Sequence, residues 1–282
     1  MKTWLITGAS SGLGAATARC VLEAGHNVVI TARDAERVGS LAREFPNQTL
    51  PVALDLANDL QIKAVVRAAL DGFGHIDVLM NSAGISYHAA IEEGIDTDIR
   101  DLFETNLFGL AAMIRAVLPG MRKRGSGTII NISSASGIVA YPGLGHYSAS
   151  KFAVEGLSEA LWQEVEPLGL RVILVEPGVF RTGIIGRTPN APRIPAYAAT
   201  AHAMIDFIEA NDEVNHRGDP ARAGAVLLDA VQSGNAPHRL ILDDDCYDAV
   251  RTKLSEQLAD HAAWERVSRS TNFPYPILAS LP

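Results

Sequence analysis

Tyr147 and Lys151 stand four residues apart in Tyr147-Ser148-Ala149-Ser150-Lys151, thirteen residues after Ser134. On a helix, positions i and i+4 share a face with Cβ atoms about 5–6 Å apart, so Lys151 can hold its ammonium beside the phenol. A free tyrosine, with a pKa near ~10, is a poor base at neutral pH, and bringing it toward ~7 takes about 4 kcal/mol. One cation at ~4 Å in an effective dielectric near ~20 supplies about that much. The pair is therefore expected to yield a tyrosine that gives or takes a proton at working pH. The Ser134 hydroxyl could hold the oxygen that exchanges that proton. Ser133 is its rival, and the spacing to Tyr147 favours Ser134. A Tyr/Lys spacing alone also fits an ordinary solvated helix, so its weight depends on the elements around it.

At the other end of the chain, the short β-branched run Thr3-Trp4-Leu5-Ile6-Thr7 leads into Gly8-Ala9-Ser10-Ser11-Gly12-Leu13-Gly14, and a helical pattern follows from Ala15. Strand, glycine loop and helix make a dinucleotide site. Glycines let the backbone turn tightly against a pyrophosphate, and the helix N-terminus offers free N–H groups and the positive end of its dipole. The spacing is G-x-x-x-G-x-G, with Thr17 where the last glycine of the commoner G-x-G-x-x-G would stand.

Strand and helix patterns alternate along the chain. Strands are expected at 3–7, 27–31, 50–54, 76–80, 127–132, 170–176 and 238–242, and helices at 13–24, 35–44, 59–72, 97–123, 148–167, 220–232 and 245–266. Continuous apolar runs such as Val172-Ile173-Leu174-Val175 fit strands covered on both faces. The expectation is an α/β fold: one doubly wound, Rossmann-like parallel sheet of about seven strands with helices on both faces. Residues 1–282 read as a single domain. The segment 180–219, with Pro189, Pro192 and Pro195 before an apolar stretch, reads as a helical insertion forming a lid over the active site.

Composition narrows the function. The 282 residues are 48% apolar and 20% charged, which is globular, and the net charge of −8 disfavours nucleic acid. The cluster Met121-Arg122-Lys123-Arg124 reads as the basic end of a helix. No run of eighteen apolar residues points to a membrane span, and the N-terminus begins with a strand and lacks a signal-peptide layout. Cys20 and Cys246 lie far apart and read as reduced thiols of a cytoplasmic protein. His75, His88, His146 and His202 are scattered, and no metal site is expected.

Thr7 to Gly14, Asp55-Leu56, Asn81-Ser82-Ala83-Gly84, Asn106, Ser134, Tyr147 with Lys151, and Pro177-Gly178 followed by Thr182 occur in an order that resembles the short-chain dehydrogenase/reductase family. Thr31-Ala32-Arg33, Leu118-Pro119, Met121-Arg122 and Val175 to Gly178 look most like its hydroxysteroid and retinol dehydrogenase branch. Ser82 departs from the pattern, which usually has a second Asn there.

The resemblance implies an oxidoreductase interconverting a carbonyl and an alcohol by hydride transfer. Tyr147 would exchange the proton, Ser134 would hold the oxygen, Lys151 would bond the nicotinamide ribose, and Asn106 would bend its helix and hold a water leading to Lys151. Gly8, Ser10, Ser11, Gly12, Leu13 and Gly14 would cradle the pyrophosphate. Asp55 and Leu56 would meet the adenine, Asn81, Ala83 and Gly84 the ribose, and Pro177, Gly178, Val179 and Thr182 the nicotinamide. At the tip of the second strand no carboxylate waits for a ribose 2′-hydroxyl, and Arg33 offers a fork suited to a 2′-phosphate, so NADP(H) is expected over NAD(H). Asp34 is expected to cap the next helix. Substrate contacts are expected from Ser136, Tyr141, His146, Val179 and the 180–219 segment, joined by Tyr87 and His88. The substrate would be a small, moderately hydrophobic carbonyl or alcohol, and the chain a homodimer or homotetramer pairing through 97–123 and 148–167. The other reading is a catalytically silent NADP(H)-sensing regulator; the presence of Ser134, Tyr147 and Lys151 together favours the enzyme.

Overall fold

In the computed structural model, residues 1–180, 192–210 and 217–273 are described. The strands are β1 (Thr3–Thr7), β2 (Asn27–Ala32), β3 (Thr49–Ala53), β4 (Val78–Asn81), β5 (Gly127–Ile132), β6 (Leu170–Pro177) and β7 (Arg239–Leu242). All neighbouring pairs are parallel, in the order β3-β2-β1-β4-β5-β6-β7. The order reverses between β1 and β4, and the crevice beyond the strand C-termini there is where open α/β sheets take ligands.

Side-chain alternation along the strands divides the apolar residues between two faces. On one face Trp4, Ile6, Val28, Ile30, Met80 and Ile130 pack against helices α1 (Gly12–Glu23) and α8 (Pro220–Ser233). On the other, Leu5, Val29, Leu79, Ile129, Val172 and Leu174 pack against α3 (Asp59–Phe73), α5 (Leu110–Arg124) and α6 (Gly145–Val165). Burial of each such side chain stabilises by about 1.5–3 kcal/mol. This is the two-sided sheet that the apolar runs required.

Local chemistry sets the helix ends. The Asn58 side chain accepts from Leu60 N and Gln61 N at the start of α3, and Asp219 caps α8 ahead of Pro220 at its first position. Gly125, left-handed, ends α5 behind Arg122, Lys123 and Arg124, so the basic cluster does sit at a helix C-terminus. Asp34 accepts from Glu36 N and opens a 3₁₀ turn over Ala35–Val38, which leads into the short α2 (Gly39–Glu44).

Two departures from the sequence expectation matter for the site. The helix expected at 148 begins at Gly145, which brings Tyr147 into its first turn. The helix expected at 97–123 is α4 (Asp96–Phe103) and α5 joined by a π turn over Glu104–Gly109. By length and composition, the continuous run Asp96–Arg124 is apolar enough to cross a bilayer. Here Leu110, Met113, Ile114, Val117 and Met121 are buried against the sheet, α3 and α6.

Of the expected insertion, residues 192–210 are described. They form turns at Pro195–Tyr197 and Ala198–His202 and then α7 (Ala203–Glu209). The buried Glu93 carboxylate anchors them, accepting from Ala90 N at 3.0 Å and from Ile194 N, and pairing with His202 Nε2 at 2.8 Å. These contacts, led by the Ile194 amide, hold the Glu93 carboxyl below the usual carboxylate range. His88 Nδ1 and Glu209 make a second anchor at 3.1 Å.

Candidate active site

The strand C-termini meet at a cleft of about 910 Å³. β1 delivers Thr7, whose Oγ1 accepts from both Ser82 N and Ala83 N at 3.1 Å, lacing the ends of β1 and β4 together. Gly8 follows at φ +69°, and a Cβ there would lie 2.7 Å from Ala83 Cα. At Gly14 a Cβ would lie 2.5 Å from the Gly8 carbonyl oxygen. The loop can therefore close this tightly only with glycine at both places. Ser11 occupies the N-cap of α1 in an extended conformation and makes no side-chain cap hydrogen bond to it. The first N–H groups of α1 thus face the cleft where Ser10, Ser11, Gly12 and Leu13 line it, a geometry fitted to a pyrophosphate. Arg33 and Arg37 stand exposed at the cleft beyond β2, while Asp34 is turned to its cap. Asp55 and Leu56 line the cleft beyond β3, and one Asp55 carboxylate oxygen accepts from Ala57 N at 3.0 Å.

Ser134, Tyr147 and Lys151 converge on the same cleft. Ser134 follows β5 in an extended conformation and its Oγ accepts from Ser136 N at 3.1 Å, leaving its own proton for donation. The two rival hydroxyls have different partners, because Ser133 Oγ donates to the buried carboxylate of Glu155. Lys151 Nζ donates to the Ile132 carbonyl oxygen at 2.9 Å and lies 5.8 Å from the centroid of the Tyr147 ring. Asn106, aimed inward by the π turn, accepts from Ile85 N and donates to Ile85 O, both at 2.9 Å, and donates to Ser150 Oγ at 3.1 Å. A Cβ placed on Gly84 would lie 3.3 Å from Asn106 Oδ1 and 3.7 Å from Lys151 Nζ, so both polar ends flank that glycine.

The electrostatics differ from the sequence expectation. Burial pushes the Tyr147 phenol up from its ordinary value, and the nearby Ser134 hydroxyl pulls the other way. Burial pulls Lys151 down to about 8, opposed by the Glu155 carboxylate. The reason is that the dry pocket penalises both charges, so the ammonium is itself weakened before it can draw the phenol down. In this state Tyr147 is a protonated acid at neutral pH.

Not every expected residue reaches the cleft. Asn81 is buried and is not among the cleft-lining residues; its Nδ2 donates to Asn131 Oδ1 at 2.9 Å and braces β4 against β5. Gly14 makes room for Gly8 behind the loop. His146 is not among the residues lining the cleft: its Nε2 lies 3.3 Å from the Ile91 carbonyl oxygen and its ring is edge-on to Tyr87. Tyr87 is buried, its hydroxyl accepting from Ile95 N. Thr182 lies outside the described residues. Ala83, Gly84, Ser136, Tyr141, Pro177, Gly178, Val179 and His88 line the cleft.

Phe180 and the α7 residues Met204, Phe207 and Ile208, from the segment read as an insertion, give the wall an apolar side. Sequence reasoning missed Leu144, Asp245 and Cys246, which also line it. Asp245 and Cys246 enter from α9 (Asp244–Arg269), which follows β7 with Asp243 as its cap. The signal for the last two was their place just beyond the C-terminal end of a parallel strand. Cys20 and Cys246 are free thiols. Among the described residues no group of His, Cys, Asp and Glu is arranged to hold a metal ion.

A doubly wound parallel sheet with a glycine-lined helix N-terminus at its switch point, facing a Ser/Tyr/Lys cluster, defines a nucleotide-dependent oxidoreductase fold. The short chain dehydrogenase family matches residues 2–193, and the chain belongs to that family. It is similar to the oxidoreductase BOA17 of Botryotinia fuckeliana, 34% identical over 95% of this chain and 98% of that one. It is also similar to the 3-ketodihydrosphingosine reductase of Bacteroides thetaiotaomicron, 37% identical over 83% of this chain and 85% of that one. The crystal structure of a short-chain dehydrogenase from Streptomyces avermitilis superimposes with a TM-score of 0.90 at 40% identity, covering 96% of this chain and 98% of that one.

Proposed function

We propose that this oxidoreductase uses NADP(H) to interconvert a carbonyl and an alcohol, with Tyr147 as the proton donor. The observation that carries the reading is the convergence of Ser134, Tyr147 and Lys151 at the edge of a glycine-lined helix N-terminus within one cleft. A bound nicotinamide supplies or accepts the hydride. The chain's residues do the rest. Ser134 donates its hydroxyl proton toward the substrate oxygen, since its acceptor side is occupied by Ser136 N. Tyr147, kept protonated by burial, hands its proton to that oxygen as charge develops there. Lys151, close to its own titration point, favours the phenolate that results. Asn106 fixes the helix turn behind them through Ile85 and Ser150. Oxidation of an alcohol follows the same proton path in reverse.

Arg33 and Arg37 at the β2 end support the phosphate-bearing cofactor, because no carboxylate at the strand tip repels a 2′-phosphate and Asp34 is engaged as a cap. The apolar wall of Leu144, Phe180, Met204 and Ile208 suits a carbonyl carrying a sizeable hydrocarbon portion. The similar Bacteroides protein is named for such a substrate. We read residues 192–210 as the roof of that pocket. Phe108 on the π turn before α5 and Phe152 on α6, 55% and 44% exposed, support pairing of copies there, which light scattering would measure. The test of the function is a panel of aldehydes and ketones of increasing apolar size, assayed with NADPH and with NADH by loss of reduced-nicotinamide absorbance. Turnover with NADPH is expected. Tight NADPH binding with no turnover across the panel would instead support a regulator that senses the nucleotide.

A further inference from the structure

Behind the cleft lies a charge cluster, buried at Glu155 and Glu176 and open to solvent at Arg239 and Glu159, that the proposed chemistry does not use. Glu155 stands one helical turn after Lys151 on α6 and its side chain is 8% exposed. It receives the Ser133 hydroxyl and an Arg239 guanidinium N–H from β7. The same Arg239 nitrogen bonds Glu176 of β6 at 2.9 Å, and the other terminal nitrogen bonds Glu159 of α6 at 2.9 Å. The ring of Trp162 stacks beneath the guanidinium, 5.5 Å from its carbon to the ring centroid. Space is tight. A Cβ on Gly137 would lie 2.5 Å from Ser133 Oγ and 2.8 Å from Glu155 Oε1. Other titratable groups that face the cluster are the Cys246 thiol and Asp243 at the start of α9.

We propose that Glu155, clamped by Arg239, is a positioning residue that fixes the end of β5, where the Ile132 carbonyl receives Lys151 and where Ser134 begins. The proposal rests on the reading of Ser134, Tyr147 and Lys151 given above. Three links support it. Ser133 lies between the Ile132 carbonyl and Ser134, so its hydroxyl bond to Glu155 sets the pitch of both. Ser133 N also donates to Val175 O at 2.7 Å, so the segment is tied to β6 through its backbone and to α6 through Glu155 and Lys151. Finally, the Glu155 carboxylate opposes the loss of charge on Lys151 across the dry interior. Arg239 supplies the cation without which two carboxylates, Glu155 and Glu176, would face each other unpaired.

The test uses the full chain without cofactor and then with NADPH. Lysines are reductively methylated with ¹³C-formaldehyde, and the Lys151 signal, identified by its loss in Lys151→Ala, is titrated by NMR. In Glu155→Gln the Lys151 midpoint is expected to move down from wild type, because an attraction has been removed from a site still dry. Turnover of 4-nitrobenzaldehyde should fall about 10- to 100-fold, the scale of a misplaced reacting group. A midpoint that moves up toward that of an exposed lysine would mean that Glu155 only packs the helix, and an unmoved midpoint would mean it does not face Lys151; either overturns the proposal. Should Glu155→Gln fail to fold, Ser133→Ala separates the two effects. Its midpoint should stay in place while turnover falls, and wild-type turnover in that variant overturns the positioning role. If the wild type turns over no carbonyl at all, the function reading fails, while the titration still decides whether Glu155 holds Lys151.

Discussion

Lys151 lies 5.8 Å from the centroid of the Tyr147 ring, yet it donates its hydrogen bond to the carbonyl of Ile132. The helical spacing that puts the two side chains on one face is thus only half of their geometry. The other half is the end of β5, which holds the ammonium in place and keeps it below the ring.

Replacing Tyr147 with Phe removes the proposed proton donor and keeps the packing of the ring. Turnover should fall about 10²- to 10⁴-fold, the usual contribution of a positioned general acid. Binding of NADPH, followed by the fluorescence of the reduced nicotinamide, should stay within a few-fold of wild type. Undiminished turnover would rule out Tyr147 as the donor.

Arg33→Asp puts a carboxylate where a 2′-phosphate would sit. A charge-assisted hydrogen bond is worth about 1.5–3 kcal/mol, so affinity for NADPH should drop at least about 10- to 100-fold, with NADH affected little. Calorimetric titration with both nucleotides reads the difference. Equal losses would show that Arg33 does not recognise the phosphate.

The pH profile of carbonyl reduction should be flat through neutrality and decline as pH passes about 8, where Lys151 loses its proton. Tyr147 is held up by burial and stays protonated through that range, so the decline should follow a single ionisation. A profile that instead falls on the acid side near pH 6 would contradict the assignment of a protonated phenol as the working form.

Glu176 offers a test of stability. Burial, reinforced by Glu155, raises its carboxyl from 4.5 to about 7 against the pull of Arg239. Between those values the folded chain holds a proton that the unfolded chain releases, so the contribution is favourable at low pH and is lost as pH rises to about 7. Glu176→Gln removes the penalty, which is about 3 kcal/mol at most. The variant should unfold at higher denaturant than wild type at pH 8 and at the same denaturant at pH 4. A variant weaker than wild type at pH 8 would mean that the ion pair with Arg239 outweighs the cost of burial.

Most of the frame was legible because its signals are local. Apolar runs mark strands covered on both faces, and the glycine loop between β1 and α1 needs only a strand before it and a helix after it. Tyr147 and Lys151 were legible for the same reason, being set four apart on one helix. What was hidden depends on tertiary placement. Asn81 looks like a cleft residue beside Ala83 and Gly84, but the β4–β5 register puts its amide against Asn131. His146 is adjacent to Tyr147, yet the helix turn sends it to the opposite side, toward Ile91. The π turn at Glu104–Gly109 was marked only by the resemblance, which implied that Asn106 bends its helix; the residue pattern itself reads as uninterrupted helix. The direction of the Tyr147 shift was misjudged because the spacing to Lys151 reports proximity, whereas dryness comes from everything packed around the phenol.

The short chain dehydrogenase match ends at residue 193, while Met204, Phe207, Ile208, Asp245 and Cys246 reach the cleft from beyond it. Nucleotide loop, hydroxyl and ammonium all come from the earlier part of the chain. Tuning for a different molecule is therefore expected to lie in the last third of the chain, and a chimera exchanging that third between relatives while keeping Arg239 on Glu155 should inherit one parent's chemistry and the other's taste.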